Sequence, residues 1–197
     1  MINHVWGLLA HPDREWQQIR REGETVGHFF AHHVAFLAAI PVVASLVGTT
    51  TFGWRFGGGE AHVLDIPTAV VLAVISYALI MAAVVAMGHV IHWLARRYPD
   101  RPSANRCILF AGYVATPMLL SGLVGFYPLV WLCAIAGIVG LAYSAYLLYT
   151  GIPSFLNIDQ REGFIMSGST LAIGVLVLEV LMATTVLMWG YGPKLFG

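Results

Sequence analysis

The chain has 197 residues, of which 58% are apolar and only 10% charged, with zero formal net charge. Soluble domains carry about 25% charged residues, so this composition excludes a soluble globular fold and points to an integral membrane protein. No basic patch with interleaved aromatics is present, which argues against nucleic acid as a partner.

In chain order, residues 1–27 come before any long apolar run. The stretch from Val5 to Ala10 is too short for a cleavable signal peptide, and His11-Pro12-Asp13-Arg14-Glu15 follows it. Pro12 suits a first helical position, and Asp13 and Glu15 suit the positive end of a helix dipole. Trp16 and Ile19 share one face. A short interfacial helix is predicted, and two placements are open: flat on the inner leaflet, or packed on the cytoplasmic ends of a bundle.

Five apolar runs follow, from about Phe29 to Phe52, Pro67 to Leu94, Ala104 to Gly125, Pro128 to Thr150 and Ser167 to Gly190. Each is long enough to cross a bilayer as a helix. The expected fold is therefore all-α, with residues 28–197 forming a bundle of five transmembrane helices behind the interfacial segment. Arg14, Arg20, Arg21, Arg96, Arg97, Arg101, Arg106 and Arg161 fall on one side, against Arg55 and Lys194 on the other. This bias places the N-terminus in the cytoplasm and the C-terminus outside. Trp54, Trp93, Trp131 and Trp189 lie near span ends, where interfacial anchors belong. Cys107 and Cys133 fall at opposite depths and are expected to stay unbridged.

Glu179 is the one charged residue in its run. A charged carboxylate at a bilayer centre costs roughly 2.5 to 3.5 kcal/mol even on lenient scales, so the side chain is expected to face other helices. Small residues in the fourth run, Ala136, Gly140 and Ser144, have a spacing that permits close helix approach. They suggest that the fifth helix packs on the fourth with Glu179 turned inward. Pro117 frees the carbonyl of Tyr113, and Thr116 adds a hydroxyl. Tyr113, Thr116, Pro117 and Gly140 are thus the candidate surroundings of Glu179.

Histidines make a second constellation. His28, His32 and His33 sit near the cytoplasmic end of the first span, and His89 and His92 near that of the second. If these converge with His11 and Asp13, they form a candidate proton or divalent-metal site. No fixed ligand motif is present, and no other cofactor is expected. Glu60, His62 and Asp65 lie near a run of glycines, as expected of a solvated loop. No nucleophile elbow, P-loop or dinucleotide fingerprint occurs, so the chain is not expected to be an enzyme. Ala39-x-Pro41-x-x-x-Ser45 is echoed by Ala115-x-Pro117-x-x-x-Ser121, which suggests a parallel repeat of the kind found in transporters.

His11-Pro12-x-x-x-Trp16-x-x-Ile19 resembles the opening of bacterial proteins of the Yip (Ypt/Rab-interacting) family. Gly112-Tyr113-x-x-x-Pro117 through Ser121, and Tyr149-x-Gly151-x-Pro153, are similar to its third and fourth helices. The resemblance implies five spans and, for the bacterial branch, an inner-membrane protein with a cytoplasmic N-terminus and a periplasmic C-terminus. Eukaryotic members bind Rab GTPases, but their Asp-Leu-Tyr-Gly-Pro motif is lacking and no Rab partner is expected. Two functional readings follow. One is a non-enzymatic scaffold or membrane-organising protein that contacts lipid and, as a homo-oligomer or with other membrane proteins, protein partners. The other is a small ion or solute transporter using Glu179 and the histidines.

Overall fold

The computed structural model describes residues 2–23, 25–53, 63–98 and 101–195, with side chains described between 4 and 185. The glycine-rich stretch with Trp54, Arg55, Glu60 and His62, and the side chains of Trp189 and Lys194, lie outside the described residues.

The N-terminal segment folds as two helices, not one: α1 (Ile2–Ala10) and α2 (Pro12–Glu22). Pro12 opens α2, Arg20 and Arg21 occupy its last turn, and Gly23 closes it in the left-handed region at φ 61°. Pro12, Trp16 and Ile19 form its buried face. Of the two placements open from the sequence, the structure shows packing on the bundle: Leu8 and Trp16 are fully buried, while Trp6 is 72% exposed.

The first span combines α3 (Val26–Phe29), a π turn (Phe30–Val34) and α4 (Ala35–Thr51). The others are α5 (Ile66–Leu94), α6 (Ala104–Ser121), α7 (Val130–Leu156) and α8 (Gln160–Leu195). Asp65 caps α5, its carboxylate accepting from the Thr68 amide at 3.1 Å. That bond holds the Asp65 carboxyl below the usual carboxylate range. Ser103 caps α6 by accepting from the Arg106 amide at 3.3 Å, and Asn157 ends α7 in the left-handed region at φ 61°. No β-strand occurs among the described residues. Among the described residues, five helices are long and apolar enough to cross a membrane.

α6 is the hub of the bundle, packing against α1, α3, α4, α5 and α7, whereas α8 packs on α5 and α7. Leu8, Trp16, Phe29, Phe110, Tyr113 and Phe155 belong to the main core, which lies toward the arginine-rich end. Gly140, at the middle of the small-residue stripe of α7, meets α6 and not, as expected, α8. A Cβ on Gly140 would lie 2.9 Å from Ser121 Oγ and 3.2 Å from Met118 Cα.

Candidate functional site

The residues with the most specific geometry gather where α1 and α2 sit on α6 and α7. The Trp16 ring packs at 5.2 Å from Phe110 and 5.7 Å from Phe155, and meets Tyr113 edge-on at 6.2 Å. Its Nε1 donates to Thr150 Oγ1 at 3.3 Å, satisfying the one polar atom of the buried indole. Two glycines make room for this layer. A Cβ on Gly151 would meet Phe110 Cε2 at 2.4 Å and Trp16 Cε2 at 2.8 Å, and one on Gly112 would meet Phe29 Cε1 at 2.5 Å. Trp16, Gly112, Tyr113 and Gly151, distant in sequence, thus belong to one contact layer.

Polar contacts hold the N-terminal pair to this layer. The Tyr143 hydroxyl of α7 donates to the Leu9 carbonyl at 2.7 Å, with the Leu8 carbonyl at 3.2 Å, satisfying acceptors at the C-terminal end of α1. Arg20 Nη1 donates to Asn157 Oδ1 at 3.2 Å and to the Ser154 carbonyl at 3.4 Å. His4 Nδ1 lies 2.5 Å from Glu15 Oε1, and its Nε2 lies 3.0 Å from Glu22 Oε2. Both ring nitrogens face carboxylates of α2. This clip was invisible to sequence reasoning because α1 and α2 meet only after a turn, and no helical spacing links His4 to its acids. Tyr143 and Thr150 were missed for a similar reason: their partners lie 134 residues away.

Beneath the layer, His33 is buried on the π turn. Its ring stacks on Phe29 at 4.9 Å, and its Nε2 lies 3.1 Å from Thr116 Oγ1. The Thr116 hydroxyl has the Gly112 carbonyl as acceptor at 3.4 Å, so it is placed to accept from His33. π turns are often found at functional sites. Here the turn brings the successive residues His33 and Val34 into the core together.

The remaining histidines do not converge. His28 and His32 stack at 4.4 Å, and His32 Nδ1 donates to the His28 carbonyl at 3.1 Å. His89 Nδ1 donates to the Val85 carbonyl at 2.8 Å. His92 Nδ1 donates to the Pro102 carbonyl at 3.0 Å, leaving Nε2 to accept from Arg101. His11 and Asp13 are exposed on α2's outer side. Among the described residues, no group of three or more His, Cys, Asp or Glu is close enough to hold a metal.

Glu179 is exposed on α8, contrary to the expected inward orientation. The buried face of α8 is set by Met166, Thr170 and the approach of Gly174 to Met87 of α5. At about 100° per residue, Glu179 falls roughly 140° round the helix from Gly174. Its expected neighbours are engaged elsewhere: Tyr113 against Trp16 and Phe29, Thr116 with His33, and Gly140 against Ser121. Pro117 is buried within α6, and Pro153 lies within α7 beside the Gly151 contact.

Residues 6–181 match the Yip1 domain. The chain is 60% identical over 195 residues to the inner membrane protein YohC of Escherichia coli strain K12, covering 99% of this chain and 100% of that one. The same holds for YohC of E. coli O6:H1 strain CFT073. No solved structure matches the chain. The matched segment takes in the whole contact layer, from Trp16 to Phe155, and this chain belongs to the Yip1 domain family.

Proposed function

We propose that this multi-pass inner membrane protein is a non-enzymatic membrane-organising protein. Its working part is the pair α1–α2, held against the cytoplasmic ends of α6 and α7, and its N-terminus is cytoplasmic and its C-terminus periplasmic. The observation that carries this reading is the docked Trp16, fully buried in an aromatic layer built from three different segments of the chain. A tight, rigid joint of this kind suits a protein that presents a shaped surface better than one that passes a solute. The separate engagement of the histidines supports the same view. So does the position of Glu179, which points away from its own bundle. A midspan carboxyl on the outer face of a helix favours contact with a second copy of the chain, because lipid offers it no partner.

The deciding experiment is thermal unfolding in nanodiscs between pH 5 and 8, with a panel of divalent metals, for wild type, Glu179→Gln and His32→Ala. Binding to the native state raises stability by mass action. The expected result is no ion-specific shift in any of the three. A shift with one ion that disappears in a single variant overturns the scaffold reading in favour of transport. Crosslinking mass spectrometry in cells supplies the positive arm: Trp16→Ala should change the set of neighbouring membrane proteins.

A further inference from the structure

A recess of about 520 Å³ opens at the arginine-rich end, lined by Arg20, Arg101, Ser103, Arg106, Leu156 and Asn157 among others. It lies where α6 begins and α7 ends, at the limit of two membrane-spanning segments. Three guanidinium groups line it, one from α2 and two from either side of the start of α6. Arg106 donates to the Phe155 carbonyl and lies over the Phe155 ring at 4.9 Å. Arg20 is held by Asn157 and the Ser154 carbonyl. Arg101 contacts the neutral acceptor nitrogen of His92.

Capping the last carbonyls of α7 accounts for Arg20 and Arg106 in part, since each guanidinium has five donors. It does not account for Arg101. None of the acceptors carries a charge, and among the described residues no carboxylate pairs with any of the three arginines. The amino end of α6 adds partial positive charge from its unpaired amides. Three positive groups held in place by neutral acceptors leave a recess suited to a tetrahedral, multiply charged anion, with a forked guanidinium on each of several sides.

We infer that this recess binds a phosphate group. The source that fits its position at the bilayer edge is the headgroup of an anionic phospholipid, for which basic pockets between helix ends are a recurring mode. Because Arg20 belongs to α2 and the other two arginines flank the start of α6, one phosphate ties the N-terminal pair to the bundle. This site is independent of the scaffold reading and stands or falls separately.

The test uses the full chain in three settings: phosphatidylcholine nanodiscs, the same discs with added phosphatidylglycerol, and phosphatidylcholine discs with inorganic phosphate. Hydrogen exchange in α2 and the unfolding temperature are read in each. Phosphatidylglycerol should slow exchange in residues 12–22 and raise the unfolding temperature. Arg101→Gln and Arg20→Gln should each weaken that lipid's apparent affinity roughly fivefold, with Arg14→Gln and Arg96→Gln as unaffected controls. Arg106→Gln removes a cap on α7 and can unfold the chain for that reason alone, so Arg101→Gln carries the test. An Arg101-dependent response to phosphatidylglycerol alone assigns the site to lipid, and one to inorganic phosphate assigns it to a soluble phosphate. A full response in Arg101→Gln, an equal loss in Arg14→Gln, or no response to either phosphate source overturns the site.

Discussion

Replacing Trp16 by alanine empties a space walled by Phe110, Phe155 and Tyr113. Truncations of this size cost about 3 to 5 kcal/mol, and the loss should appear as faster hydrogen exchange across α1 and α2 before the spans unfold. Gly151→Leu forces side-chain atoms into the same layer from the opposite wall, at a cost of about 1 to 3 kcal/mol or more. Release of α2 by both variants, with the far end of the bundle intact, would confirm one shared joint. The pair His33 and Thr116 invites a double-mutant cycle. Removing either partner breaks the Nε2–Oγ1 bond, at about 1 to 3 kcal/mol, so His33→Phe and Thr116→Val should be non-additive in unfolding temperature. Glu179→Gln should leave hydrogen exchange in α1 and α2 unchanged, because Glu179 is exposed on α8, which packs on α5 and α7. At this scale the sequence was legible where a residue type has one common use, as with Pro12 and Trp16. It was not legible for Glu179, whose direction depends on which face of α8 meets Met87 of α5.

Among the elements, the long spans were legible because twenty or more apolar residues in lipid have one satisfactory backbone solution. Their edges moved outward where caps intervene: Asp65 starts α5, and Asn157 carries α7 to Leu156, past the expected Thr150. The Asp65 cap gives a pH prediction. Its carboxyl titrates lower in the folded protein, so its contribution is present above the unfolded value near 3.9 and fades as pH falls through the folded value. Asp65→Ala should therefore lower the unfolding temperature at pH 7, and the gap to wild type should close on acidification. The π turn at Phe30–Val34 was not legible, because its sequence is as compatible with an α-helix and the extra residue per turn reflects tertiary packing around Phe29 and His33. The two A-x-P-x-x-x-S copies also ended in unlike places. Pro117 is buried in the central α6, whereas Pro41 sits half-buried in the more peripheral α4.

For the whole molecule, the bundle and its arginine-rich end followed from composition and charge asymmetry. The attachment of α1 and α2 did not, since either lipid or protein satisfies an amphipathic helix. That attachment bears on how the protein is made. Trp16 meets Thr150 across 134 residues, and Arg20 meets Asn157 across 137. At ribosomal rates of about 5 to 20 residues per second, α7 emerges on the order of ten seconds after α2. Through most of that interval the nascent chain carries Trp16 and Ile19 on an amphipathic helix whose α6 and α7 docking walls are not yet synthesised. The newborn protein is thus a surface-seeking peptide first and a closed bundle second.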